Sequence, residues 1–138
     1  MASKGQLTGM RGVYLAAAEL AREGLVASPT SRSAKTADIL VTDEKCSRAW
    51  TVQVKTNAST FSFFLLGEKD RDIVSPSHVY VLVNLRESPE FYIVPSRVVS
   101  EKMSVQHAKK SATGSIWYSI ATKDVKEYQN RWDLFKPV

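Results

Sequence analysis

Asp38 heads the apolar stretch Ile39-Leu40-Val41, and Gln53 and Lys55 lie two residues apart in Thr51-Val52-Gln53-Val54-Lys55. Both stretches read as short β-strands, yet each carries polar groups where a buried strand should have none. Side chains on a strand alternate faces. Gln53 and Lys55 therefore point the same way, about 6.6 Å apart, while Val52 and Val54 point into a core. If the two strands pair as a hairpin, Asp38 sits beside Gln53 on the neighbouring strand, about 4.8 Å away. The parity is right for this, because the intervening turn over 43–48 holds an even number of residues. A one-residue slip would carry Asp38 to the opposite face.

These residue types suit phosphodiester hydrolysis. That reaction needs a hard cation, an activated water and stabilisation of charge at the phosphate. Mg²⁺ prefers oxygen ligands and usually keeps several waters; Mn²⁺ takes similar sites. Asp38 offers a carboxylate, and the Gln53 side chain and the Val54 backbone carbonyl offer neutral oxygens. Lys55 can orient the water or stabilise the developing negative charge. Glu19 lies on the edge of the preceding helix, where it would restore a second carboxylate that Gln53 does not provide. The expected catalytic set is Glu19, Asp38, Gln53 and Lys55, and the expected metal set is Glu19, Asp38, Gln53 and Val54.

The elements that must position this set follow from patterning. Helical spacing predicts a helix from Gly9 to Glu23, capped by Thr8 and ended by Gly24, with Val13, Ala17, Leu20 and Gly24 on one face. Arg11 and Arg22 point to solvent. A short strand over 25–28 ends at Pro29, and a polar loop over 28–36 follows. That loop carries Arg32 and Lys35 and no acid, and it leads into Asp38, so both basic residues are expected to contact nucleic acid. Strands are predicted over 38–42 and 49–55, and a further strand with a weak signal over 61–66. A charged loop over 67–77 precedes a valine-rich central strand over 78–85. A strand over 91–94 leads to a helix opened by Pro95 and running to Lys110. A strand over 115–121, a short helix over 122–130 and a tail docked by Trp132, Leu134 and Phe135 complete the chain. This order describes a mixed α+β fold in one domain spanning residues 1–138.

The composition supports a globular domain with its own core: 138 residues, 43% hydrophobic and 24% charged. A lone cysteine, Cys46, excludes an internal disulfide, and no Cys or His cluster has zinc spacing. With no secretory core at the start and no membrane-length apolar run, a soluble protein of the cytoplasm is expected. The net charge of +5 favours a polyanionic partner. His78 and His107 have no partner at useful spacing and read as structural; Asp43 and Glu44 read as turn residues. Arg97, Lys102, Lys109 and Lys110 read as a solvated helix face. Trp50, Trp117 and Trp132 read as core or interface.

Glu19, Asp38 and Gln53-Val54-Lys55, in that order on helix, strand start and next strand, resemble the PD-(D/E)xK nuclease superfamily. That superfamily includes many restriction enzymes, junction resolvases and repair nucleases. The resemblance covers the first 55 to 60 residues best. It departs from the pattern in Ala37, which stands where a proline is usual, and in Gln53, which stands where an acid is usual. The resemblance implies a restriction-endonuclease-like core and Mg²⁺- or Mn²⁺-dependent cleavage of DNA. Sequence selection would then come from loops, a partner or a homodimer. The competing reading, raised by Gln53, is a non-catalytic nucleic-acid-binding or assembly module on the same fold.

Overall fold

A computed structural model of the chain describes residues 2–31, 36–107 and 116–136. Helix α1 (Lys4–Arg22) starts five residues earlier than its apolar periodicity predicts. Ser3 and Gln6 form a reciprocal capping box there, which satisfies orphan donors of the first turn and displaces Thr8 from the cap role. The carboxyl end is where the sequence placed it. Gly24 takes a φ of +85°, and Leu25 and Gly24 donate to the Leu20 and Ala21 carbonyls, a Schellman closure.

Five strands form the main sheet in the order β1 (Val26–Pro29), β2 (Ile39–Thr42), β3 (Ala49–Asn57), β5 (His78–Asn84), β6 (Glu90–Pro95). β3 and β5 run parallel and the other neighbours antiparallel. The parallel pair needs a crossover, which the chain makes through β4 (Phe63–Leu66) and the short helix α2 (Lys69–Asp72). The segment expected to be only a charged loop therefore contains a helical turn.

The central strands are buried on both faces, which accounts for the unbroken burial of His78–Asn84. On one face α1 packs Ala16 and Leu20 against Ile39, Val41, Val52, Val54, Val81 and Val83. Trp132 and Phe135, in a 3₁₀ turn (Trp132–Phe135), join that core as expected of the tail. Gly12 lets α1 approach the sheet closely, directly over Thr56.

On the other face Tyr80, Leu82, Tyr92 and Val94 pack against helix α3 (Ser96–Lys102) and a second sheet. That sheet has the order β4, β8 (Ile116–Ala121), β7 (Ser104–His107). The helix predicted to run to Lys110 ends at Lys102. Ser104–His107 instead pairs with β8, and the rest of the predicted helix lies outside the described residues. Residues predicted as a short helix over 122–130 form a 3₁₀ helix (Thr122–Tyr128). Trp117 is 53% exposed rather than core, because its strand turns that side chain to the outer face of the second sheet. Among the described residues no helix is long and apolar enough to cross a membrane.

Candidate active site

The β2–β3 register places Ile39 opposite Val52 and Thr42 opposite Ala49, which continues to Asp38 opposite Gln53. β2 begins only at Ile39, whereas β3 runs on to Asn57. Among the described residues no strand pairs with the outer edge of β3 beyond Val52, and Asp38 stands at the fork. It is held there from both sides. Its N–H donates to the Val52 carbonyl at 2.8 Å, and its own carbonyl accepts from the Thr30 N–H at 2.9 Å. Its carboxylate Oδ2 accepts the Val54 N–H at 2.8 Å. The N–H and C=O of a strand residue project to the same edge, so the Val54 carbonyl faces the same side as Asp38.

A cavity of about 420 Å³ opens at this fork, roofed by the first half of α1. Met10, Tyr14 and Thr30 line it together with Asp38, Gln53 and Val54. Among its lining residues, Asp38 can offer a carboxylate, Gln53 a side-chain amide and Val54 a backbone carbonyl. An all-oxygen set with a single charge fits a hard divalent ion that retains water, Mg²⁺ or Mn²⁺, at modest affinity. Among the described residues no three His, Cys, Asp or Glu side chains cluster as a metal site.

Glu19 is not part of this arrangement. Its carboxylate pairs with Arg22 at 3.6 Å, and it is absent from the cavity lining. It follows Met10 by nine residues, about two and a half helical turns, so the stretch of α1 over the fork is the wrong one to bring it in. The second carboxylate expected from the sequence does not reach Asp38. Arg32 and Lys35 lie outside the described residues.

Lys55 shares the face of Gln53, as strand alternation requires, but its ammonium turns to Asp70, 3.2 Å away. Asp70 comes from α2 and is 2% exposed. Its Oδ1 accepts the Tyr80 hydroxyl at 2.6 Å and its Oδ2 accepts the Gly67 N–H at 2.6 Å. Burial pushes the Asp70 carboxyl up. The bonds from Tyr80 and Gly67, together with the Lys55 charge, outweigh this and hold it below the ordinary carboxylate value. Tyr80 is pushed far above the phenol range by burial and by its bond to Asp70. His78 contacts Thr51 through Nδ1 at 2.6 Å and sets its ring edge-on to Tyr80. Burial lowers its pKa against the pull of Asp70.

Asp70 is the partner of Lys55 that sequence reasoning missed. It sits in the run Glu68-Lys69-Asp70-Arg71-Asp72, where nothing in residue type marks it out. Its side chain alone among the three acids points inward; those of Glu68 and Asp72 are 68% and 61% exposed.

No family model matches the chain, and no curated protein does. A solved structure does match in shape: Hjc of Archaeoglobus fulgidus, a Holliday junction resolvase from an archaeal hyperthermophile. It aligns with a TM-score of 0.57 over 86% of this chain and 93% of that one, at 12% identity. Likeness at that identity is a statement about architecture. The chain has a restriction-endonuclease-like α+β fold, with an N-terminal helix packed on a mixed sheet.

Proposed function

We propose that this protein is a metal-dependent endonuclease-like enzyme that hydrolyses phosphodiester bonds in DNA. The observation that carries the reading is the meeting of Asp38, Gln53 and Val54 at the open edge of β3, with Lys55 next on the same face. Asp38, the Gln53 amide oxygen and the Val54 carbonyl would hold Mg²⁺ or Mn²⁺. The ion, when bound, supplies a water of lowered pKa and neutralises charge on the phosphate. Lys55 would stabilise the pentavalent phosphate as the water adds and the bridging P–O bond breaks. The net charge of +5 favours a polyanionic substrate, and Arg32 and Lys35 would track its backbone. The likeness to a resolvase fold supports DNA as that substrate. A second copy of the chain is the proposed protein partner, and the cytoplasm the proposed compartment.

The non-catalytic reading keeps a specific support. Among the described residues Asp38 is the only acid lining the cavity, and Lys55 is already engaged by Asp70.

The test is cleavage of supercoiled, nicked, branched and single-stranded DNA with Mg²⁺ or Mn²⁺, by the wild type and by Asp38→Asn. Metal-dependent cleavage lost in Asp38→Asn is expected. Thermal melts of Gln53→Glu, with and without Mg²⁺, address the metal directly. A carboxylate binds a hard ion better than an amide, so Mg²⁺ should raise the melting temperature more in this variant than in the wild type. No cleavage of any DNA form, together with no Mg²⁺ effect on either melt, would leave the non-catalytic module as the correct reading.

A further inference from the structure

We infer that Asp70 is a positioning residue for Lys55: it fixes where the lysine's charge stands on the Gln53 face of β3 and compensates that charge until substrate arrives. The inference rests on the nuclease reading above and adds a residue from an element outside the recognised motif.

The geometry joins three elements. Gln53 and Lys55 are two apart on β3. Tyr80 lies opposite Gln53 in the parallel β3–β5 register. The Tyr80 hydroxyl reaches Asp70, and Asp70 returns to Lys55. Of these residues, Gln53 is the one that lines the cavity. Asp70 is itself held at both oxygens, and its N–H donates to the Gly67 carbonyl at 3.1 Å. The segment carrying it is bolted to α3: the Ser100 hydroxyl donates to the Arg71 carbonyl, and the Ser96 hydroxyl donates to the Ser75 carbonyl. The carboxylate that meets Lys55 is therefore a fixed point.

Stability alone does not account for such a pair. Desolvating two charges offsets their attraction, and an apolar pair of similar volume is often as stable or more so. What a buried pair does provide is a defined position for a long, otherwise mobile lysine. It also makes Lys55 and Asp70 together neutral, so the cavity keeps the negative field of Asp38 that attracts a cation.

Two consequences separate this role from a purely structural one. In Asp70→Asn the lysine keeps its charge but loses its anchor. Its ammonium is then uncompensated, so KM for DNA should fall by a few-fold as the polyanion binds more tightly. Over the same change kcat should fall about 10- to 100-fold, the scale of a misplaced catalytic group. A fold defect would lower the active fraction without tightening KM.

The experiment is a double-mutant cycle on the DNA form that the wild type cuts, using Lys55→Gln, Asp70→Asn and the pair, normalised to folded protein. The expected result is that Asp70→Asn costs nothing further once Lys55 is gone. Tyr80→Phe, which keeps the ion pair and removes one bond to Asp70, should show a smaller kcat loss that also vanishes in Lys55→Gln. It serves if Asp70→Asn does not fold. Equal losses with and without Lys55, or a KM that rises in Asp70→Asn, would overturn the positioning role while leaving the nuclease reading intact. A wild type that cuts no DNA would remove both, and that failure shows before any variant is made.

Discussion

Gly12→Ala is the substitution whose outcome the packing of α1 dictates most directly. In an exposed helix it would stabilise by about 1 kcal/mol, the usual difference between glycine and alanine. Here a Cβ on Gly12 would stand 1.8 Å from the Thr56 Oγ1 and 2.8 Å from both the Thr56 Cβ and Cγ2. Ordinary contact needs well over 3 Å, so either α1 or β3 must move by about 1.5 Å, and overpacking of that kind costs about 1 to 3 kcal/mol or more. The net expectation is a loss of about 1 to 2 kcal/mol, or about 3 to 7 °C in melting temperature for a chain of this size. Gly9 and Val13, on either side of Gly12, line the cavity, so the displaced helix also lifts Met10 and Tyr14 away from Asp38. Thr56→Ala should restore most of the stability, since it removes the two nearest atoms other than Cβ. It should cost little alone, because the Thr56 Oγ1 is buried without a hydrogen-bond partner. The assay is a denaturation cycle over the two sites. A Gly12→Ala protein melting at or above the wild type would refute this account of how the helix is seated.

Stability should also decline toward acid in two steps. The folded-state pKa of His78 lies below 6.5, so its contribution is complete above pH 6.5 and is lost as pH falls toward the lowered value. Asp70 likewise contributes fully above 3.8 and loses that contribution as pH falls through its depressed value. Urea melts from pH 7.5 to 5 should show the first step and His78→Gln should flatten it; an unchanged slope in the variant would falsify the assignment. The outer face of the second sheet exposes Phe63, Leu65 and Trp117, the surface expected to seat a second copy. Sedimentation should show a dimer at tens of micromolar that Phe63→Ser with Trp117→Ser converts to monomer without lowering the melting temperature. A wild type that stays monomeric at high concentration would exclude this interface.

Local signals determined a good deal of this protein. Helix α1 and its Gly24 stop, the strand pair that bears Gln53 and has Asp38 one residue ahead of its first strand, their parity and the valine-rich central strand all follow from short-range periodicity and turn chemistry. Each depends only on residues near in sequence, and each stands in the structure. Where competing local signals were present, the boundary shifted. The Ser3–Gln6 box outweighed Thr8, and pairing with β8 outweighed helical continuation past Lys102.

Only the tertiary structure could decide which side chains meet. Glu19 has the right residue type on the right element, but the stretch of α1 that crosses the β3 edge is the turn around Met10. That crossing is set by where Gly12 lets the helix approach Thr56, a contact between residues far apart in the chain. Asp70 is the converse case. It is one acid among several in a charged run, and only the parallel crossover from β3 to β5 folds that run over Lys55 and Tyr80 and turns one of its carboxylates inward. Alternation along β3 places Lys55 on the face of Gln53. Which partner its ammonium finds there depends on a segment that pairs with neither neighbour of β3 in sequence, and no local pattern records that.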